Sequence, residues 1–588
     1  MSSLKPTPPA SRASLPARVG DRLSRLSRLT WVDAVVAAAV LVLFYLALRV
    51  GQGTTVRFST GQHADVDTDP LRLPYDAARS LLRMFAALGL SVVFTFGYAY
   101  AAARSRRLER VLIPALDILQ SVPVLAFLTV AVTGFLALFP GSVFGLECAA
   151  VFAIFTSQAW NMTFGFHQSL TSLPRELDEL SRSFRFTRWM RFWKVEVPAG
   201  MIGLVWNGMM SFGGGWFFLV ASEAISVNNE KYALPGVGSY AGAAIADGDL
   251  GRVGWAIVAM AVMVIAVNFL FWRPLTAWAE RFKNEQSEAT EIQRSVVLDL
   301  LRRSHWPELL GRLLRPAGRA LSRAGRLLGT DDRPLTAHPG RRRAGDLAFG
   351  LVAGGLILWG VVDLGRYLDD ETGLGVLGEP LLLGLATLAR VVVLVAVATL
   401  VWVPIGVKIG FSPGLTRVAQ PVVQVLASFP ANFLFPLVVW LLLRTGLSID
   451  VGGIVLMALG AQWYILFNTI AGAMAIPTDL REAMDDLGVR GWQRWRRLII
   501  PGIFPAYVTG GITASGGAWN ASIVSEVVTF GGTTLTATGL GAYIAGATER
   551  GDHPHLLAGV AVMSLYVVVL NRLFWRRLQR LAERRYSL

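Results

Sequence analysis

Between Val253 and Trp272 the chain runs for 20 residues without one charged side chain. As a helix rising about 1.5 Å per residue, such a run covers the ~30 Å hydrocarbon layer of a bilayer. Lipid offers no hydrogen bonds to exposed backbone groups, so a spanning segment must satisfy them itself. Comparable runs recur along the sequence. Only 16% of the residues are charged, against about a quarter in soluble proteins. The class selected is an all-α membrane protein.

Twelve spans are expected, near 31–49, 80–103, 114–139, 147–170, 199–224 and 253–272, then 347–364, 381–407, 421–443, 451–472, 502–527 and 556–571. With a cytoplasmic N-terminus, about 44 of the 55 Lys and Arg fall on inner segments. The net charge of +15 therefore reads as topology, and no nucleic-acid partner is expected. Both termini are placed in the cytoplasm, and the location is a bacterial plasma membrane. The basic residues 1–30 precede a first span that is read as uncleaved, because no small-x-small site follows "LVLFYLALRV"; a mitochondrial presequence is the other reading. A single cysteine, Cys148, excludes an internal disulfide and a Cys–His metal cluster. No metal and no cofactor is expected.

The sequence also repeats itself. At an offset of 303, Pro174 falls on Pro477, Glu179 on Glu482, Trp189 on Trp492, Pro198 on Pro501, Trp216 on Trp519 and Glu223 on Glu526. Gly236, Gly238 and Tyr240 meet Gly539, Gly541 and Tyr543, and Asn268 and Trp272 meet Asn571 and Trp575. Earlier, "PALDILQSVP" matches "PVVQVLASFP" at 307. Two halves of six spans each, an even number, share one orientation and are related by an axis along the membrane normal. The expected parts are a basic N-terminus (1–30), a first half (31–273), a basic linker (274–344), a second half (345–576) and a tail (577–588). The linker reads either as an amphipathic helix on the anionic inner leaflet or as a solvated connector.

A polar segment interrupts each half at the same point, "DELSRSFRFTRWMRFWKVEVP" and "REAMDDLGVRGWQRWRRLIIP". In the second copy Asp479 and Glu482 fit a capping pattern. Gly488 and Gly491 predict a turn between two short helices, and Pro501 suits the start of the next span. An amphipathic elbow, repeated once per half, implies that two copies of something dock there.

Glu482, Ala483 and Gly488, followed by Ile500-Pro501, resemble the EAA loop of ABC importer permeases. "WNASIVSE" and "TGLGAYIAGA" resemble the nitrate/sulfonate/taurine branch, with "WFFLVASE" and "PGVGSYAGAA" as first-half counterparts. The resemblance implies a type I ABC importer-like fold with the permease dimer fused into one chain. It implies that the elbows couple to two copies of a separate ATPase, through Glu179, Arg185 and Pro198 in one half and Glu482, Ala483, Gly488 and Pro501 in the other. It also implies an extracytoplasmic solute-binding protein and a small solute, an anion such as nitrate, bicarbonate or a sulfonate. The first copy departs from the loop pattern, with Leu180-Ser181 after Glu179 and Arg185 in place of glycine. No GxxxxGK[ST] phosphate loop occurs, so the chain is expected to be a non-catalytic subunit.

The fifth spans are the expected translocation path. Gly214 and Gly517, with Ser515, permit close approach of helices, and Trp216 and Trp519 just beyond them suit a bulky gate. Glycine-mediated packing accounts for the same residues. Asn207, Ser211 and Asn520 are polar positions on these helices, where interhelical hydrogen bonds are the alternative to substrate contact. Glu223 and Glu526, near the outer interface, line the mouth or cap the following helix. Arg83, Arg390 and Arg444 lie towards outer span ends, where snorkelling accounts for them. An ion-coupled secondary transporter is the competing class, and a fused permease for ferric iron is a competing substrate reading.

Overall fold

The computed structural model describes residues 66–282 and 339–585, apart from 122, 123, 174, 185, 228, 229 and 531, and between them only 297–299, 316 and 320. Residues 1–30, the span near 31–49, most of the linker and Arg185 lie outside the described residues.

Among the described residues, eight helices are long and apolar enough to cross a membrane. They are Pro70–Arg104, Val143–Thr171, Arg188–Glu223 and Leu250–Ala279 in the first half, and Gly375–Gly410, Ile449–Ala475, Gly491–Ser525 and His553–Ala582 in the second. Of the twelve expected spans, the one near 31–49 lies outside the described residues; among the described residues eight spans are found, or nine if one bent pair counts as a span, so twelve are not confirmed. That pair is Gly414–Ser428 with Ala431–Thr445, bent by 82°, where a straight span was expected near 421–443. Its first-half counterpart near 114–139 is described as Arg106–Ser121 and Val124–Leu138, on either side of residues 122 and 123, which lie outside the described residues. Hydropathy alone hides the bend in the second half. Pro430 caps a short 3-10 turn and Pro436 opens the next helix, and a proline has no amide to continue the helical ladder. The run 347–364 lies in a helix, Pro339–Thr372, that is not one of the eight.

The repeat is visible in local geometry. Each half carries two π-helical stretches, at Phe192–Glu196 and Asn268–Trp272, and at Trp495–Ile499 and Asn571–Trp575. Each fifth-span helix is followed by a two-stranded antiparallel hairpin, Ala224–Val227 with Glu230–Ala233, and Val527–Phe530 with Thr533–Thr536. The all-α expectation is corrected in this detail. The hairpin of each half packs against the short helix, Val237–Ala246 or Leu540–Arg550, of the other half. The two hairpin ends therefore meet, and the two elbows share the opposite end of the bundle.

Two cores interlock the halves. One is built on Met84, Phe212, Trp216 and Trp272 of the first half and takes in Phe433 from the second. The other is built on Trp519, Leu540 and Met563 and takes in Leu128, Val132 and Ala153 from the first. Gln424 Nε2 adds a polar stitch, donating to Asn268 Oδ1 at 3.0 Å. Neither half completes its core alone.

The Gly-x-Gly pairs have a packing cause. A Cβ on Gly236 or Gly539 would run into the carboxyl group of Glu223 or Glu526. One on Gly541 would meet the Ser522 carbonyl, and one on Gly238 would lie 2.8 Å from the Val220 Cα. Gly541→Ala is expected to destabilise the chain by about 1–3 kcal/mol through this backbone clash, measured as a lower thermal midpoint in detergent, whereas Gly516→Ala, whose Cβ meets nothing within 4 Å, is expected to change it little.

Candidate functional site

Glu223 is fully buried at the end of the Val197–Glu223 helix. Its carboxylate accepts from Ser80 Oγ at 2.6 Å, Arg83 Nη1 at 2.6 Å and the Gly238 amide at 2.7 Å. It thus caps the Val237–Ala246 helix and ties it to the Leu73–Arg104 helix. Arg83 also pairs with Glu147 through Nε at 2.6 Å, and Arg79 pairs with Glu147 as well. In the second half Glu526 accepts from Thr387 Oγ1 at 2.8 Å, Arg390 Nη1 at 2.9 Å and the Ala542 amide at 3.1 Å. Arg390 Nη2 pairs with Asp450 at 2.5 Å. Arg83 and Arg390 are 2% and 7% exposed, so they are ion-pair centres and not snorkelling groups. Arg444 instead lies over the Trp440 ring, 4.5 Å from its centroid.

A cavity of about 210 Å³ opens between the halves. The first half lines it with Gln120, Ser157, Trp160, Asn161, Gly214 and Phe217, and the second with Phe429, Tyr464, Ser515, Gly517, Asn520 and Trp575. Among the described residues no charged side chain lines it. The repeat places unlike groups opposite each other: Asn161 answers Tyr464, Phe217 answers Asn520 and Gln120 answers Ala427. Gln120 Nε2 donates to Asn161 Oδ1 at 2.9 Å, which fixes the orientation of that amide pair. The break at Phe429-Pro430 carries the bent segment into the cavity wall.

Of the residues expected on the translocation path, Gly214, Ser515, Gly517 and Asn520 lie on the wall of this cavity. Trp216 and Trp519 stand elsewhere. Each is 1% exposed inside its core, against Phe212 and Tyr566 respectively. Glu223 and Glu526 lie in the ion clusters. Asn207 donates to the Gly203 carbonyl at 2.8 Å and packs on Gly165, while Ser211 is buried behind the wall. The pattern of offsets held the missed signal: Arg83 and Arg390 are 307 apart, and Glu147 and Asp450 are 303 apart.

At the elbow end, Thr478–Asp486 and Gly491–Arg494 are joined by a tight turn. Pro477, not Asp479, occupies the cap position, and no side-chain cap forms. Gly488 takes φ +64°, which lets the Val489 amide reach the Met484 carbonyl and the Gly488 amide the Asp485 carbonyl. This is a Schellman closure that favours glycine. The first elbow, Arg175–Ser183 followed by Arg188–Arg191, keeps the equivalent bond from Phe186 to Ser181. Glu179, Glu482 and Ala483 are exposed, while Pro198 and Pro501 sit in the first turns of the following helices. Beside them Phe184, Leu487 and Trp492 are 66%, 76% and 71% exposed.

Residues 93–278 and again 402–588 match the binding-protein-dependent transport system inner membrane component family. The chain belongs to this family. It is an ABC importer permease with both permease domains in one chain, a non-catalytic transmembrane subunit of a multi-pass membrane protein class that works with an ATPase and a binding protein. Similar proteins include a putative ABC transporter permease of Methanocaldococcus jannaschii, 27% identical over 34% of this chain and 72% of its own length. The taurine transport system permease of Escherichia coli is 26% identical over 33% and 67%, and an osmoprotectant import permease of Salmonella typhimurium is 30% identical over 31% and 74%. The nitrate import permease of Leptolyngbya laminosa is 27% identical over 32% of this chain and 64% of its own length.

Removing one member of a buried ion pair strands the other charge, whereas replacing both with apolar groups is often tolerated. Arg83→Met is therefore expected to cost roughly 3–5 kcal/mol, read as a lower thermal midpoint in detergent, and Arg83→Met/Glu223→Met is expected to recover most of that loss.

Proposed function

We propose that this permease forms, within one chain, the whole membrane path of an ATP-driven importer for a small polar solute, and that each elbow docks one ATPase copy on the cytoplasmic side. The observation that carries this reading is a cavity shared by two interlocked halves, each of which carries an exposed elbow. Motor closure draws the elbows together, and the fifth-span helices that follow them carry the movement to Gly214 and Gly517. The basic elbow end is the cytoplasmic end, with both termini there, and the hairpin end receives solute from the binding protein.

The solute is of the nitrate, sulfonate or taurine kind, as in several relatives. Amide and hydroxyl groups such as Asn161, Tyr464, Ser515 and Asn520 offer donors without a fixed counter-charge. Held that way, an anion binds weakly and leaves easily, so selection falls to the binding protein. The aromatic wall of Trp160, Phe217, Phe429 and Tyr464 favours a second reading, a compact cationic or zwitterionic osmoprotectant held on ring faces. Uptake of nitrate, bicarbonate, taurine and glycine betaine by the assembled importer in proteoliposomes, driven by internal ATP, decides between them; movement of solute by the chain alone on an ion gradient would overturn the ATP-driven reading.

Glu482→Lys is expected to weaken copurification of the ATPase about tenfold, and Glu179→Lys to weaken it less, with membrane insertion intact in both. A larger loss at Glu179 would reverse the ranking of the two elbows. Gly517→Trp is expected to abolish uptake without loss of ATPase binding, because a Cβ there already lies 3.4 Å from the Tyr464 ring and the rest of the side chain must enter the cavity.

A further inference from the structure

Glu196 is 5% exposed in the π-helical stretch Phe192–Glu196. This stretch joins the first elbow to the Val197–Glu223 helix, which lines the cavity through Gly213, Gly214 and Phe217. Glu196 Oε1 accepts from Arg104 Nη2 at 2.8 Å and from Arg191 Nε at 2.9 Å. Arg104 is the last residue of the Leu73–Arg104 helix, and its guanidinium lies 5.1 Å from the Tyr100 ring centroid. Arg191 ends the second short helix of the elbow. One buried carboxylate therefore fastens the elbow, the end of one spanning helix and the start of the cavity wall.

The second half builds the same joint differently. Its equivalents of Arg104, Arg191 and Glu196 are Phe411, Arg494 and Ile499. Ile499 is buried in an apolar cluster with Val407, Ala473 and Leu498. With isoleucine at 499 in place of a carboxylate, Arg494 Nη1 pairs with Asp485 of its own elbow at 2.5 Å, and its guanidinium lies 6.0 Å from the Phe411 ring centroid. One joint is a buried carboxylate held by two partly exposed arginines and the other is side-chain packing. Opening the first joint would strand the Glu196 carboxylate away from water, which is costly, and the second half fastens the same joint by apolar packing.

We propose that Glu196 is a positioning residue for coupling: it makes the first elbow and the Val197–Glu223 helix move as one body, so that force applied at the elbow reaches the cavity wall undiminished. The proposal rests on the elbows being the ATPase docking sites, and it assigns the transmission of that force in the first half to one carboxylate.

The test uses the full chain assembled with its ATPase, in a Cys148→Ala background. Spin labels are placed at Leu250→Cys and His553→Cys, equivalent positions at the hairpin ends of the two halves, exposed in both. Pulsed EPR in lipid nanodiscs reads their separation with and without ATP plus vanadate, and ATP hydrolysis is measured on the same samples. The unmodified complex is expected to shift on nucleotide binding. Glu196→Gln is expected to keep the ATPase bound and hydrolysing, yet to lose about half of that shift or more. Arg104→Phe/Glu196→Ile, which installs the joint of the second half, is expected to recover it. A full shift in Glu196→Gln, or a loss in both variants, overturns the proposal. Failure of the unmodified chain to bind the ATPase overturns instead the docking reading beneath it.

Discussion

A carboxylate buried where water is scarce must gather donors or take up a proton, and Glu223 and Glu526 gather donors. Each draws an arginine, a hydroxyl and the amide of a following helix onto itself. That requirement sets the hairpin end of the molecule. It brings the Leu73–Arg104 and Gly378–Gly410 helices against the ends of the fifth-span helices, and it demands glycine at 236 and 539, where a side chain would displace the carboxylate. The Gly-x-Gly pairs are a consequence of the carboxylates, and not a phosphate-binding device.

From these anchored ends the fifth-span helices run towards the elbows, past a cavity that neither half encloses alone. One part of the interlocking follows from the proline bend of the second half. An unbroken span would stay beside its own half; the bend at Phe429-Pro430 sends Phe433 into the core of the first half and leaves Phe429 on the cavity wall. Fusion of the halves fits this arrangement, because the equivalent positions have diverged. Asn161 faces the cavity where its equivalent is Tyr464, and Phe217 where its equivalent is Asn520. A dimer of identical chains would present the same group twice.

Much of the architecture was legible in the chain. Charge-free runs gave the spanning helices, and the 303-residue offset gave two parallel halves with an elbow in each. Gly488 was legible as a turn because only its left-handed backbone lets the helix close on the Met484 carbonyl. The site was legible in part. Of the residues expected along the path, Gly214, Ser515, Gly517 and Asn520 lie on a cavity wall, while Trp216 and Trp519, expected as a gate for their size, are core residues. Helical spacing says how far along a span a side chain sits; it does not say which neighbour covers it. Arg83 and Arg390 were misjudged for the same reason, since an arginine near a span end either reaches out to the interface or finds a buried acid, and the acid lies 140 and 136 residues away.

The sequence by itself determined the lipid-spanning class, the family and the duplication, because each is written in local composition or in a fixed offset. Only the tertiary structure decided where an apolar run bends, which polar residues meet in the shared cavity, and how each elbow is fastened. Those depend on contacts between residues far apart in the chain, where a proline bend or a buried carboxylate such as Glu196 selects one set of neighbours over another.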